Sequence, residues 1–124
     1  MKLADGRFEI YPRSIETERL QLIMTSNENN TYASFNVLKK GDMMPIGTLQ
    51  LFNDGEIWYY INKKFRRCGY VIESMQELIE KSPRKDFYLL VIKGEKSAIR
   101  LLKKLGFKKG ETLRWYLVFK YHKN

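Results

Sequence analysis

Apolar and polar residues alternate along Arg19-Leu20-Gln21-Leu22-Ile23-Met24, the period of a strand buried on one face. A polar break, Ser26-Asn27-Glu28-Asn29-Asn30, follows. Thr31 to Lys39 reads as a second strand with Ala33, Phe35 and Val37 on one face. Lys40-Gly41-Asp42 signals a turn, and Ile46 to Phe52 predicts a third strand. Asn53-Asp54-Gly55 is a hairpin signal, because these residues tolerate the positive φ angles of tight turns. Glu56 to Ile61 then returns as its partner, so the first half predicts an antiparallel meander.

After Gly69 the period changes. Val71, Met75, Leu78 and Ile79 fall on one face of a helix, which should stop before Pro83 because the residue preceding a proline is pushed out of helical geometry. Phe87-Tyr88-Leu89-Leu90-Val91-Ile92 is a continuous apolar run, the pattern of a strand covered on both faces. Lys96 to Leu105 fits a second helix with Ala98, Leu101, Leu102 and Leu105 inward and Gly106 as its C-cap. Leu113 to Tyr121 reads as the last strand. The order β-β-β-β-α-β-α-β describes an α/β fold with a mixed (α+β) sheet, crossovers falling only in the C-terminal half.

At 124 residues the chain suits a single domain, 1–124, and its 44% apolar content can fill a core. No apolar run is long enough to predict a membrane helix, and the N-terminus lacks a secretory signal's apolar stretch. A single cysteine, Cys68, excludes an internal disulfide and is compatible with a cytoplasmic protein. No metal-ligand spacing is present. The net charge of +9 is uneven: residues 1–62 carry six Lys/Arg against eight Asp/Glu, and residues 63–124 carry seventeen against six. A basic half points to an anionic partner: nucleic acid, a phosphorylated cofactor or an acidic surface.

Asn62-Lys63-Lys64-Phe65-Arg66-Arg67-Cys68-Gly69-Tyr70-Val71 joins a predicted strand to a predicted helix. The first turn of a helix offers unpaired N–H groups and the positive end of its dipole, a seat for phosphate. Gly69 would allow close approach, and Lys63, Lys64, Arg66 and Arg67 surround it. The same residues could equally form an ordinary solvated loop. Neither G-x-x-x-x-G-K-[ST] nor G-x-G-x-x-G is present.

Arg66-Arg67-Cys68-Gly69-Tyr70-Val71 resembles the Arg/Gln-x-x-Gly-x-Gly/Ala loop of the GNAT (N-acetyltransferase) superfamily, with Val71 in place of the small final residue. Ala98 to Phe107 is similar to the family's helix ending in Lys-Leu-Gly-Phe. Thr17-Glu18-Arg19-Leu20-Gln21-Leu22 and Gly69-Tyr70-Val71-Ile72-Glu73 resemble motifs of its ribosomal-protein and spermidine-type acetyltransferase branch. The likeness spans residues 17–121. It implies a GNAT-like fold that binds acetyl-CoA and transfers its acetyl group to an amine of a small molecule or protein. The loop from Arg66 to Val71 (Arg66, Arg67, Cys68, Gly69, Tyr70, Val71), with Tyr60 and Ile61 at the preceding strand end, is the implied cofactor site. The pantetheine arm is expected between two splayed strands.

Some positions differ from the family pattern. Glu95 and Ala98 stand where Asn and Ser are common, and Leu102 stands where many relatives carry a tyrosine acid. Only Ser26–Asn30 occupies the place of two helices that wall the acceptor pocket. Glu56, where some relatives carry a general base, and Tyr116 are the candidate catalytic groups, with Tyr121 an alternative phenol. Glu56 could instead be a surface carboxylate, and Tyr70 a packing aromatic. Glu73 reads as a helix-dipole carboxylate, Cys68 as a reactive thiol or an incidental small residue, and His122 as solvated. Acyl-CoA or partner binding without turnover, and a basic nucleic-acid module, are the rival functions. The missing helices predict an uncovered face that a homodimer would cover.

Overall fold

The computed structural model describes residues 13–28 and 32–124. Five strands, β1 (Ser14–Glu16), β2 (Leu20–Glu28), β3 (Tyr32–Lys39), β4 (Gly47–Phe52) and β5 (Ile57–Ile61), form an antiparallel sheet in sequence order. Helix α1 (Tyr70–Lys81) follows, then β6 (Asp86–Ile92), helix α2 (Lys96–Lys104), β7 (Lys108–Thr112) and β8 (Tyr116–His122). The last three strands form a second antiparallel sheet in the order β6-β8-β7.

Register divides every strand into two faces. Leu22 lies opposite Val37, Phe35 opposite Leu49, and Leu51 opposite Ile57. These residues join Phe87, Leu89 and Phe119 of the second sheet, Met75, Leu78 and Ile79 of α1, and Leu102 of α2 in one buried cluster. Both helices therefore pack on the same face. The opposite face carries Thr48 and Gln50, then Trp58, Tyr60, Leu90, Ile92 and Tyr116, all five at least 39% exposed. Among the described residues no helix covers it.

Helix α2 closes as the sequence predicts. Gly106, at φ 97, lets its own N–H reach the Lys103 carbonyl and the Phe107 N–H reach Leu102, a Schellman ending. Helix α1 likewise ends at Ser82, ahead of Pro83.

Several expectations are corrected. The first strand runs to Glu28, so Ser26-Asn27-Glu28 is strand; Asn29, Asn30 and Thr31 lie outside the described residues. A bulge between Met24 and Ser26 absorbs one residue and keeps the ladder with β3 in register. Strands β1 and β7 were not anticipated. A three-residue strand and a wholly exposed edge strand have no periodicity strong enough to read. Residues 113–115 form the β7–β8 turn, so the last strand begins at Tyr116.

The strand Phe87–Ile92 is covered on one face only: Phe87, Leu89 and Val91 are buried, while Leu90 and Ile92 are 40% and 57% exposed. It pairs along its whole length with β8, but on its other edge the one bridge among the described residues is a parallel one between Glu56, just before β5, and Tyr88, with the Tyr88 N–H donating to the Gly55 carbonyl at 3.0 Å. Beyond that bridge the two sheets part.

Candidate functional site

The gap between β5 and β6 opens into a groove of about 680 Å³ lined by residues including Trp58, Tyr59, Leu90, Ile92, Glu95 and Tyr116. Its walls expose backbone as well as side chains. The hydrogen bonds Phe52 N–H to Glu56 O and Asn62 N–H to Ile46 O fix the alternation of the β4–β5 ladder. Trp58 and Tyr60 therefore pair with β4, and the N–H and C=O of Tyr59 point into the gap. Across it, the Lys93 N–H bond to Trp115 and the Lys123 N–H bond to Lys85 assign odd-numbered β6 residues to β8. The backbone of Leu90 and Ile92 consequently faces Tyr59. Two strand edges stand open toward each other, the arrangement that accepts an extended chain bearing amides.

The wide end of the gap meets the loop 62–69. Asn62 accepts the Lys64 N–H through Oδ1 at 3.4 Å and starts a 3-10 turn, Lys63–Phe65. Arg66 donates from Nε to the Ile61 carbonyl at 3.2 Å, which ties the loop to the end of β5. Arg67 and Gly69 then take left-handed conformations, φ 66 and 82, and α1 begins with glycine as its cap. No side chain caps that helix, and the N–H groups of residues 67–72 make no backbone hydrogen bond among the described residues. Amides without a backbone partner and the start of a helix lie in the same loop as the exposed Lys63, Lys64, Arg66 and Arg67, features that can receive an anion.

This loop is held from the far end of the chain. Arg19 donates from Nε to Glu73 Oε1 at 2.7 Å and from Nη2 to the Cys68 carbonyl at 3.2 Å, and its guanidinium lies 4.6 Å from the centre of the Tyr70 ring. The Arg19 N–H and the Thr17 hydroxyl both donate to Glu73 Oε2. Burial pushes the Glu73 carboxyl up, but the bonds from Thr17 and Arg19 outweigh it and hold the group below the ordinary carboxylate range.

At the narrow end, the Tyr88 hydroxyl donates to Asp54 Oδ2 at 2.6 Å, and Asp54 Oδ1 accepts the Glu56 N–H. The hydrogen bond to Asp54, followed by burial, raises the Tyr88 phenol well above its usual value. Arg84 donates to the Asn53 carbonyl at 2.6 Å. These contacts lock the β4–β5 hairpin onto β6 and fix where the gap starts.

Glu56 and Tyr116 line the same groove at different depths. Glu56 accepts the Trp58 indole N–H at 2.7 Å beside Tyr88, whereas Tyr116 pairs with Ile92, four residues or roughly 13 Å further along β6. Arg66, Arg67, Cys68, Gly69, Tyr70 and Val71 share the loop and first turn; Val71 and Tyr70 also pack on the core. Tyr60 is exposed on the bare face, and Ile61 is buried with its carbonyl bonded to Arg66.

Tyr121 is no groove phenol: it packs on Phe87 and Phe107 in the core. Glu73 is bound to Thr17 and Arg19, and His122 pairs with Asp86 at 2.7 Å. Leu102 is fully buried, with no exposure to the groove. Sequence reasoning missed Tyr59, Leu90 and Ile92, whose continuous apolar pattern reads as core, and the service of Arg19. Glu95 lines the groove, and burial first, then the charge of Glu95, raise the Tyr59 phenol.

Among the described residues there is no cluster of His, Cys, Asp or Glu able to hold a metal, and no helix long and apolar enough to cross a membrane.

A family model described as the acetyltransferase (GNAT) family matches residues 2–107. No curated protein matches the chain. Among solved structures, a Vibrio cholerae protein described as a ribosomal-protein-serine acetyltransferase aligns with TM-score 0.72 at 14% identity, over 88% of this chain and 97% of that one. An acetyltransferase from Agrobacterium tumefaciens str. C58 aligns with TM-score 0.74 at 12% identity, over 89% and 94%. The Campylobacter jejuni N-acetyltransferase PseH, in complex with acetyl coenzyme A, aligns with TM-score 0.66 at 14% identity, over 78% and 72%. At such identities the likeness is one of fold.

Proposed function

This chain belongs to the acetyltransferase (GNAT) family, and from that premise we propose that its single domain carries acetyl groups from acetyl-CoA to an amine, with residues 66–71 as the pyrophosphate seat. The observation that carries this reading is the meeting of vacant amides and cations with the open end of the β5–β6 gap. The pantetheine arm has two amides, and the facing edges at Tyr59, Leu90 and Ile92 offer them backbone partners.

When bound, acetyl-CoA supplies the thioester; the chain's own groups do the rest. The Tyr59 N–H is free to donate to a carbonyl oxygen in the gap. With the thioester in place, Glu56 would take one proton from the acceptor ammonium through water, so that the free amine nitrogen could bond to the acetyl carbon as the carbon–sulfur bond breaks. The nitrogen would then lose its second proton to water, and the Tyr116 phenol, reprotonated from solvent, would supply the proton that the departing sulfur takes. One observation favours binding without turnover: Leu102 is buried where relatives place a tyrosine acid.

CoA at a hundred times its dissociation constant should add about 2.7 kcal/mol of stability, a rise in Tm on the order of 10 °C. No shift at millimolar CoA would remove the reading, and thiol release from acetyl-CoA with an amine panel separates turnover from binding. The reading assigns the basic half to the cofactor's phosphates rather than to nucleic acid, and places the chain in the cytoplasm. A homodimer through the bare face around Trp58, Tyr60 and Ile92 would complete the acceptor wall, which light scattering at micromolar concentration reads.

A further inference from the structure

We propose that Arg19 is a positioning residue for the cofactor loop, acting as the counter-charge that keeps Glu73 out of the phosphate seat. The inference rests on the cofactor reading of residues 66–71.

Glu73 lies in the first turn of α1, whose amides at residues 70–72 are vacant. A carboxylate in the first turn of a helix is drawn toward the positive end of the dipole and the unpaired first N–H groups. Here that would fill the place an anionic ligand needs, and even without that move its charge would repel pyrophosphate. The side chain of Glu73 is only 19% exposed, so water screens that charge incompletely.

Both oxygens are drawn the other way. Oε2 takes the Thr17 hydroxyl and the Arg19 N–H, and Oε1 takes the Arg19 guanidinium at 2.7 Å. The same guanidinium donates to the Cys68 carbonyl at 3.2 Å and covers the Tyr70 ring, so it also fixes the loop on either side of Gly69. Arg19 approaches within 3.4 Å of where a Cβ on residue 69 would stand, beside the seat itself. Its pair with Glu73 joins residues 54 positions apart, which gives the short segment between β1 and β2 a function beyond folding.

The test is CoA affinity by calorimetry for wild type, Arg19→Met, Glu73→Gln and the double variant, each checked for folding by circular dichroism. Arg19→Met should bind about tenfold more weakly, because Glu73 keeps its charge and its bonds to Thr17 and the backbone of residue 19 but loses the neutralising guanidinium on Oε1 beside the pyrophosphate. Glu73→Gln should bind at least as tightly as wild type. The double variant should return to within about threefold of wild type, a rescue that loss of structure alone would not permit. Arg19→Lys keeps the charge and should also stay within about threefold; a tenfold loss there would overturn the charge argument, as would wild-type affinity in Arg19→Met or absence of rescue in the double variant. If wild type itself fails to bind CoA, the cofactor reading falls and takes this inference with it. If wild type binds and the four variants match it, only the role of Arg19 falls.

Discussion

Two strand-to-helix junctions stand at the same end of the splayed strands, and they are built oppositely. The junction after β5 runs through residues 62–69, carries Lys63, Lys64, Arg66 and Arg67, and ends in a glycine cap. The junction after β6 is Lys93-Gly94-Glu95, and its helix begins behind a glutamate. In the first, the amides of residues 67–72 have no backbone acceptor. In the second, Glu95 and Lys96 donate to Ile92 and Gly94, and the carboxylate stands at the positive end of the dipole. A helix N-terminus alone does not make a phosphate site. In the function proposed above it becomes one where the cap has no side chain and the neighbouring acid is bound elsewhere, as Glu73 is by Thr17 and Arg19.

The sharpest way to break this contrast is Gly69→Glu, which gives the first junction the anion of the second. CoA binding should fall at least about 100-fold, or roughly 2.7 kcal/mol, by calorimetry. Gly69→Ala is the control: its methyl group meets only Arg19 at 3.4 Å, so it carries the strain of a left-handed φ, about 1–2 kcal/mol in thermal unfolding, without the charge. Equal CoA affinities for the two variants would show that the seat lies elsewhere.

A smaller effect is expected at Arg66, whose guanidinium both adds charge and ties the loop to the Ile61 carbonyl. Arg66→Ala should weaken CoA binding about five- to tenfold, the scale of one charge-assisted hydrogen bond at an exposed position. An unchanged affinity would mean that the backbone holds the loop unaided.

The smallest effect belongs to the second junction. Glu95→Gln removes an acid that lines the groove and should tighten CoA about twofold at low salt, with the gain fading as ionic strength rises toward about 1 M. A tenfold change in either direction would show that Glu95 touches the ligand.

The loop proposed as the anion seat was legible in the chain because its features are local. Four cations, a glycine and a change from strand to helix period fall within residues 62–71, and nothing distant is needed to recognise them. The splay itself was implied by the family resemblance, but the residues that line the groove were not legible from periodicity, for the opposite reason. Leu90 and Ile92 make an apolar run with their neighbours, and a run of that kind looks the same whether its second face meets a core or an open gap.

The amino-acid order by itself determined the two helices, the meander and the glycine turns at Gly55 and Gly106, since these follow from periodicity and backbone sterics over a few residues. Only the tertiary structure decided that β5 and β6 meet at Glu56 and Tyr88 and then diverge, which freed the edges of Tyr59, Leu90 and Ile92. It alone decided that Arg19 reaches Glu73 and Cys68. Such contacts join segments far apart in the chain, where pairing depends on how whole sheets pack and no short pattern records it.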